Sequence, residues 1–350
     1  MNYKSIFNLL GILLAIFSLS FLPPLMFSVF YAEPLSGIFL YSFLFLITLG
    51  SLMWFASRQK DLPLNISDGF IITTLFWVVL AFAGSIPFYF FGLNASDAIF
   101  ESVSGITTTG ATVIVGLDEL PKSLLIYRQL LQWIGGMGLI ILAVAVMPTL
   151  GIGGGQLYKM ELPGSHGNQK LTPKITDSAK ALWKIYFGLT IICALLYVLS
   201  GMNLFDAIAH SLSTVAGGGF STHDESIGFF NSGLIEAICI IFMLLSAASF
   251  AVHYAAIFGG KPLKYFYDSE FRFFLSVVIL IAIVVCIFHS VSNSYTDFLL
   301  TVRTSIFHTV SIVTTSGFTT ENFSLWPSFL PYLLLVGAFM GACSQSVGGG

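Results

Sequence analysis

Charged side chains are scarce: Asp, Glu, Lys and Arg make up 9% of the 350 residues, and the formal net charge is -3. An ordinary soluble domain carries roughly a quarter charged residues, so that class is excluded. No long run of Lys or Arg is present, which argues against a nucleic-acid partner and against a polybasic tail. Cysteine is rare too. Cys193, Cys239, Cys286 and Cys343 all fall in apolar stretches, where they read as small buried side chains and not as a disulfide framework or a metal cluster. The first apolar run is too long for a signal-peptide core and no small-residue cleavage site follows it, so the first helix is expected to be retained.

Apolar residues are abundant instead. They reach 56% of the chain, with 35 phenylalanines and a mean hydropathy of +0.90. This composition identifies a polytopic membrane protein, and its long apolar runs make an all-α fold the expected one. A bilayer core about 30 Å thick needs about 20 apolar residues in helix, and that length divides the chain into eight predicted spans. Residues 5–30 and 36–56 form an N-terminal hairpin, with Pro23-Pro24 expected to kink its first arm. The remaining spans are 69–92, 123–149, 181–200, 230–258, 271–290 and 327–343.

Three related glycine turns lie between these later spans: Thr107-Thr-Thr-Gly-Ala-Thr112, Ala216-Gly-Gly-Gly-Phe-Ser-Thr222 and Thr314-Thr-Ser-Gly-Phe-Thr-Thr320. When Gly110, Gly219 and Gly317 are superimposed, the preceding residues align without a gap as Asp97–Ser104, Asp206–Ser213 and Thr304–Ser311. The copies recur about every 100 residues, the signature of a repeated unit. Each unit reads as a helix, a short helix too brief to cross the membrane, a turn that sends the chain back, and a second helix. Non-helical backbone at membrane depth is tolerated only where it lines a wet path or is buried by protein. Backbone carbonyls can replace the water of a monovalent cation without trapping it, and glycine lets successive carbonyls address one axis. Thr and Ser hydroxyls add oxygens, and the C-terminal end of each short helix contributes partial negative charge. Small residues that merely allow helix packing are a better reading of Gly135-Gly-Met-Gly138.

Basic residues fix an expected orientation. With the N-terminus cytoplasmic, Lys4, Arg58, Lys60, Lys159, Lys170, Lys174, Lys180, Lys184, Lys261, Lys264 and Arg272 all fall on the cytoplasmic side. The turns then open outward, followed closely by Asp118, Glu119, Asp224, Glu225 and Glu321, which read either as a cation-concentrating vestibule or as solvated loop residues.

The three helix-and-turn copies, together with Gln132-Trp-Ile-Gly-Gly-Met-Gly138 and the Ala216–Thr222 loop, resemble the Trk/Ktr/HKT superfamily of potassium transporters. The N-terminal hairpin makes the chain more similar to the bacterial Trk system membrane subunit than to Ktr. The resemblance implies repeated helix, re-entrant pore loop, helix units around a central pore, with one filter glycine per repeat. The implied organisation is a hairpin over 1–60 and pore repeats over 61–150, 151–262 with a cytoplasmic connector at its start, and 263–350. Three of the family's four repeats would be present. A fourth turn is expected about 100 residues beyond Gly317, so the chain looks like a fragment. The implied potassium-binding residues are Thr108, Thr109, Gly110 and Ala111; Gly217, Gly218, Gly219 and Phe220; and Thr315, Ser316, Gly317 and Phe318. In related plant proteins a serine at the first filter glycine accompanies sodium preference, and Gly110 therefore favours potassium. The stretch Gly341–Gly350 resembles the start of an intramembrane gating loop.

The resemblance further implies a bacterial inner-membrane location, a cytosolic nucleotide-binding regulatory subunit at 151–180 and 259–272, and a homodimer. Passive channel, sodium-permeable pathway and proton-coupled transporter stay open on sequence grounds. A membrane-embedded transferase using His210, His253 or His308 is the alternative of another class, but it lacks an acid, base and nucleophile cluster and leaves the turns unexplained. Glu101, His210 and His308 share one position in the short helices, where a hydrogen-bonding role is the simpler expectation and a proton-linked one the sharper. Packing or interfacial placement is expected for His253 and His289. Arg128 and Arg303 are expected to snorkel or to pair with a vestibule acid.

Overall fold

The computed structural model describes residues 3–58, 66–136, 175–291, 297–327 and 329–349, among which there are helices and no strand. Contacts divide the chain into two compact units. The first holds Met1–Thr107, Ala111–Val115 and Glu119–Ala181; the second holds Thr108–Gly110, Gly116–Asp118 and Leu182–Gly350.

In the first unit, α1 (Tyr3–Ser18) passes through a 3-10 turn at Leu19–Phe21 into α2 (Leu22–Phe30), whose first turn holds Pro23 and Pro24. The break falls where proline cannot supply the backbone donors of a continuing helix. Helix α3 (Ser36–Ala56) returns against α1. The two backbones approach closely at Gly11 and Gly50, where a Cβ on either would lie 2.7 Å from the other's carbonyl oxygen. Away from that contact α3 exposes Tyr41, Phe45, Leu52 and Phe55, a surface suited to lipid. Helix α4 (Ile66–Phe91) leads to the short α5 (Ala95–Ile106), and α6 (Lys122–Gly136) follows the first turn. The buried Tyr127 ring of α6 packs on Phe21, Phe39 and Phe88, and its hydroxyl donates to the Gly84 carbonyl at 2.7 Å. Gly135 seats α6 on the end of α5, since a Cβ there would stand 1.9 Å from the Ile106 carbonyl oxygen. The packing reading of that glycine therefore holds, while Gly138 and the rest of the 123–149 span lie outside the described residues.

In the second unit, α7 (Ile175–Leu199) precedes the short α8 (Leu204–Ala216), and α9 (Gly233–Ser246) and α10 (Phe250–Ile257) follow the second turn. Then come α11 (Lys264–Tyr267), α12 (Ser269–Val291), the third short helix α13 (Phe298–Val313) and α14 (Phe329–Met340). Five described helices, or six counting α9 with α10, are long and apolar enough to cross a membrane. The short helices are not: at 1.5 Å per residue the 12-residue α5 extends only about 18 Å.

The span expected as continuous over 230–258 is broken. Helices α9 and α10 meet at 102° across Ala247–Ser249. The broken backbone finds other partners: the Ser246 and Ala247 carbonyls accept from Val347 and Cys343, and the Phe250 amide donates to Gln345. Ser249 caps α10 through the Ala251 amide at 3.2 Å. The irregular segment 341–349 thus sits in the break, and the predicted 327–343 span ends as helix at Met340.

Candidate ion-coordinating site

Each short helix opens on a side-chain cap, in which Asn94, Asn203 and Asp297 accept from the amides of Asp97, Asp206 and Leu299. Such caps satisfy one of the helix's free donors and fix where the chain turns. Each helix then closes on a left-handed residue. These are Thr108, Gly217 and Thr315, with φ of 55°, 65° and 61°, and two residues later comes a left-handed glycine, Gly110, Gly219 or Gly317, with φ of 77°, 76° and 81°. In the second and third copies the amides of Gly218 and Ser316 reach back to the Ser213 and Ser311 carbonyls at 3.0 and 2.9 Å, completing the same helix-ending motif. The first left-handed position is therefore a helix stop, and the second is the turn itself.

Thr108–Gly110 and the other two turns lie in one unit and meet there. A Cβ built on Gly110 would stand 2.1 Å from the Gly218 carbonyl oxygen and 3.6 Å from that of Ser316; one on Gly219 would stand 1.8 Å from the Ser316 oxygen. One carbonyl oxygen thus occupies the space that a side chain would need at each of these glycines, that of Gly218 at Gly110 and that of Ser316 at Gly219. At Gly317 a Cβ would meet nothing within 4 Å. Ser104 and Ser311, six residues before their glycines, donate to the carbonyls of Ala111 and Phe318 at 2.5 and 2.6 Å, so the short helix holds those two groups. The Phe220 and Phe318 side chains are buried, whereas Ala111 is exposed.

The chain beyond each turn is also held. Glu101 accepts from the Thr112 hydroxyl and from the amides of Val113 and Ile114 at 2.7 and 3.3 Å. Arg128 does not snorkel; it is fully buried, with Nε 3.4 Å from Glu101 and Nη2 3.0 Å from the Thr112 hydroxyl. Arg303 makes a two-pronged pair with Glu236 at 2.6 and 2.5 Å. Each arginine thus pairs with an acid other than those of the expected vestibule, Arg128 with Glu101 and Arg303 with Glu236. Some of those acids have structural work: Asp224 accepts from the Gly116 and Leu117 amides at 3.1 Å each, Asp118 binds His223, and Glu321 accepts from the Trp326 indole at 2.6 Å.

The histidines named for a transferase are engaged in hydrogen bonds. His253 lies between the Tyr265 hydroxyl and the Leu245 carbonyl, while His210 and His308 bridge the short helices to the chain after their turns. Segment 341–349, expected by resemblance to begin an intramembrane loop, docks beside the turns, and the break between α9 and α10 that receives it was unforeseen in the sequence. The Gly349 amide donates to Thr315 Oγ1 at 2.8 Å, a Cβ on Gly217 would lie 3.8 Å from Gly348 Cα, and Glu270 holds Ser344 through its amide and hydroxyl. The run Ser246-Ala-Ala-Ser249, small and polar inside an apolar span, was the available signal.

Comparison with known proteins agrees with this architecture. The chain is 49% identical to the Trk system potassium uptake protein TrkH of Vibrio parahaemolyticus serotype O3:K6 over 355 residues, covering 100% of this chain and 73% of that protein. It is 44% identical to the protein of the same name from Escherichia coli K12 over 356 residues, with the same coverage. The crystal structure of the potassium transporter TrkH from Vibrio parahaemolyticus matches with a TM-score of 0.88 at 47% identity, covering 100% of this chain and 72% of that one. The profile of the TrkH family, described as cation transport protein, spans residues 36–350, and the chain belongs to that family of multi-pass membrane transporters and not to an enzyme family.

Proposed function

We propose that the protein carries potassium into the bacterial cell across the inner membrane, with the three glycine turns as walls of its selectivity filter. The observation that supports this most directly is the convergence of the turns: matched left-handed pairs bring the Gly218 and Ser316 carbonyls into the space beside Gly110 and Gly219. A ring of neutral oxygens can replace the hydration shell of potassium while leaving the ion free to move on. The coordinating residues on this reading are Thr108, Thr109, Gly110 and Ala111, Gly217 to Phe220, and Thr315 to Phe318. Ala111 and Phe318 contribute chiefly by closing their turns, since serines hold their carbonyls. Repeats 61–150, 151–262 and 263–350 follow a hairpin over 1–60, and the N-terminus is cytoplasmic. Segment 341–349, docked beside the second and third turns, acts as a gate. A cytosolic nucleotide-binding subunit contacts 151–180, of which 151–174 lie outside the described residues, and 259–272, and a homodimer completes the assembly; both readings rest on the family likeness.

Rubidium uptake into liposomes carrying the purified full chain tests the proposal. Potassium should compete with rubidium at far lower concentrations than sodium. Equal competition by the two ions would overturn it.

A further inference from the structure

Glu101, His210 and His308 lie nine residues before Gly110, Gly219 and Gly317, and all three are fully buried. Each reaches the chain a few residues past its glycine. Glu101 receives the Thr112 hydroxyl and the Val113 and Ile114 amides. His210 Nδ1 lies 2.9 Å from the Asp206 carbonyl, which can only accept, so the proton is on Nδ1 and the neutral ring's Nε2 accepts from the Ser221 hydroxyl at 2.9 Å. Ser221 Oγ accepts in turn from the His223 amide at 3.1 Å. His308 repeats the arrangement: Nδ1 donates to the Thr304 carbonyl at 3.0 Å, and Nε2 receives the Thr320 amide at 3.4 Å, with the Glu321 carbonyl 3.3 Å away. The residue types differ, a carboxylate in the first copy and an imidazole in the others, yet each offers a buried acceptor to the same stretch.

We infer that the position nine residues before each turn glycine is a positioning site for ion selection. Its acceptor anchors the returning chain and thereby fixes the spacing of the turn's carbonyls, without touching the ion. The inference rests on the filter reading above. Discrimination between two monovalent cations depends on how firmly the coordinating oxygens keep their places, and a turn tied at its helix end alone would be free to close on a smaller ion. In the first copy the anchor is a charge, and buried Arg128 balances it.

The test compares His210→Leu and His308→Leu, which remove the acceptor at similar size, with His210→Gln and His308→Gln, whose amide oxygen can stand near Nε2. Gly110→Ser, Gly219→Ser and Gly317→Ser serve as the filter controls. Competition of potassium and sodium against rubidium uptake is the readout, because a purely structural role would alter yield and leave ion preference unchanged. The leucine variants should lose about tenfold of their potassium preference, the factor expected for one buried hydrogen bond, and the glutamine variants should recover most of it. If any of these serine variants relaxes preference while both leucine variants retain it, the positioning site is refuted and the filter stands. If Gly110→Ser, Gly219→Ser and Gly317→Ser all retain preference, the filter reading itself is wrong and this inference falls with it. Should the leucine variants fail to assemble, Ser221→Ala deletes only the hydroxyl that His210 receives: relaxed preference supports the inference, and unchanged preference overturns it.

Discussion

Glu101 and Arg128 form the pair with the most at stake in the first unit, since both are fully buried in a chain with little charge. Desolvating two charges costs several kcal/mol each, and their mutual attraction, the hydrogen bonds that Glu101 receives from Thr112, Val113 and Ile114, and the one that Arg128 gives Thr112 help to offset it. Removing one partner leaves the other charge stranded. Glu101→Ala or Arg128→Ala should therefore destabilise the protein by about 3–5 kcal/mol, whereas the double replacement Glu101→Leu with Arg128→Met should cost less than either. Thermal unfolding in detergent decides this, and a double variant weaker than both singles would contradict the account. Sequence reading aligned Glu101 with His210 and His308 but could not name their partners. A register match shows that three residues share a place on a helix. It does not show that the chain returns within hydrogen-bond reach of them, because that depends on a turn geometry in which Thr108 and Thr315 adopt φ values usually left to glycine.

Among the elements, the three short helices were legible because a common register and the glycine turns agreed, while their caps at Asn94, Asn203 and Asp297 emerged only in the structure. The third differed in detail: α13 begins at Phe298, about one turn earlier relative to its glycine than α5 or α8. The loops after the turns were less legible. Acidic residues there looked like a vestibule, yet Asp118 and Asp224 tie the loop after the first turn to the loop after the second. His223 is the centre of that tie, bonded to Asp118 and, at 3.2 Å, to Asp206, and stacked on Phe229. Burial pushes its pKa down, but the hydrogen bonds to Asp206 and Asp118 outweigh burial and leave it above the ordinary 6.5. The hydrogen bond from His223 in turn holds Asp118 below 3.8. A raised imidazole pKa stabilises the fold fully below 6.5 and loses that contribution as pH rises through the folded value; the lowered carboxylate contributes above 3.8 and loses its part as pH falls through its own folded value. The tie should thus be tightest from about pH 4 to about pH 6.5. Hydrogen exchange at the Gly116 and Leu117 amides, corrected for intrinsic base catalysis, should accelerate above that window in the native protein and stay flat in His223→Gln. Equal acceleration in both proteins would contradict the tie.

On the scale of the whole molecule, the membrane class and the repeated plan followed from composition, span length and the three aligned turns. The bend between α9 and α10 did not. A sliding count of apolar residues cannot detect it, because Ser246-Ala-Ala-Ser249 breaks the helix only when another segment supplies replacement hydrogen bonds, and segment 341–349 lies about 100 residues away in sequence. The central claim is that the converging turns select the ion, and serine substitution at each turn glycine tests it. A side chain at Gly110 or Gly219 would collide with a carbonyl oxygen at 2.1 or 1.8 Å, whereas at Gly317 only the left-handed backbone resists, at a cost of order 1–3 kcal/mol. Potassium against sodium competition for rubidium uptake should show all three variants less selective than the native protein, with Gly110→Ser and Gly219→Ser more affected than Gly317→Ser. Native selectivity in all three would contradict the account.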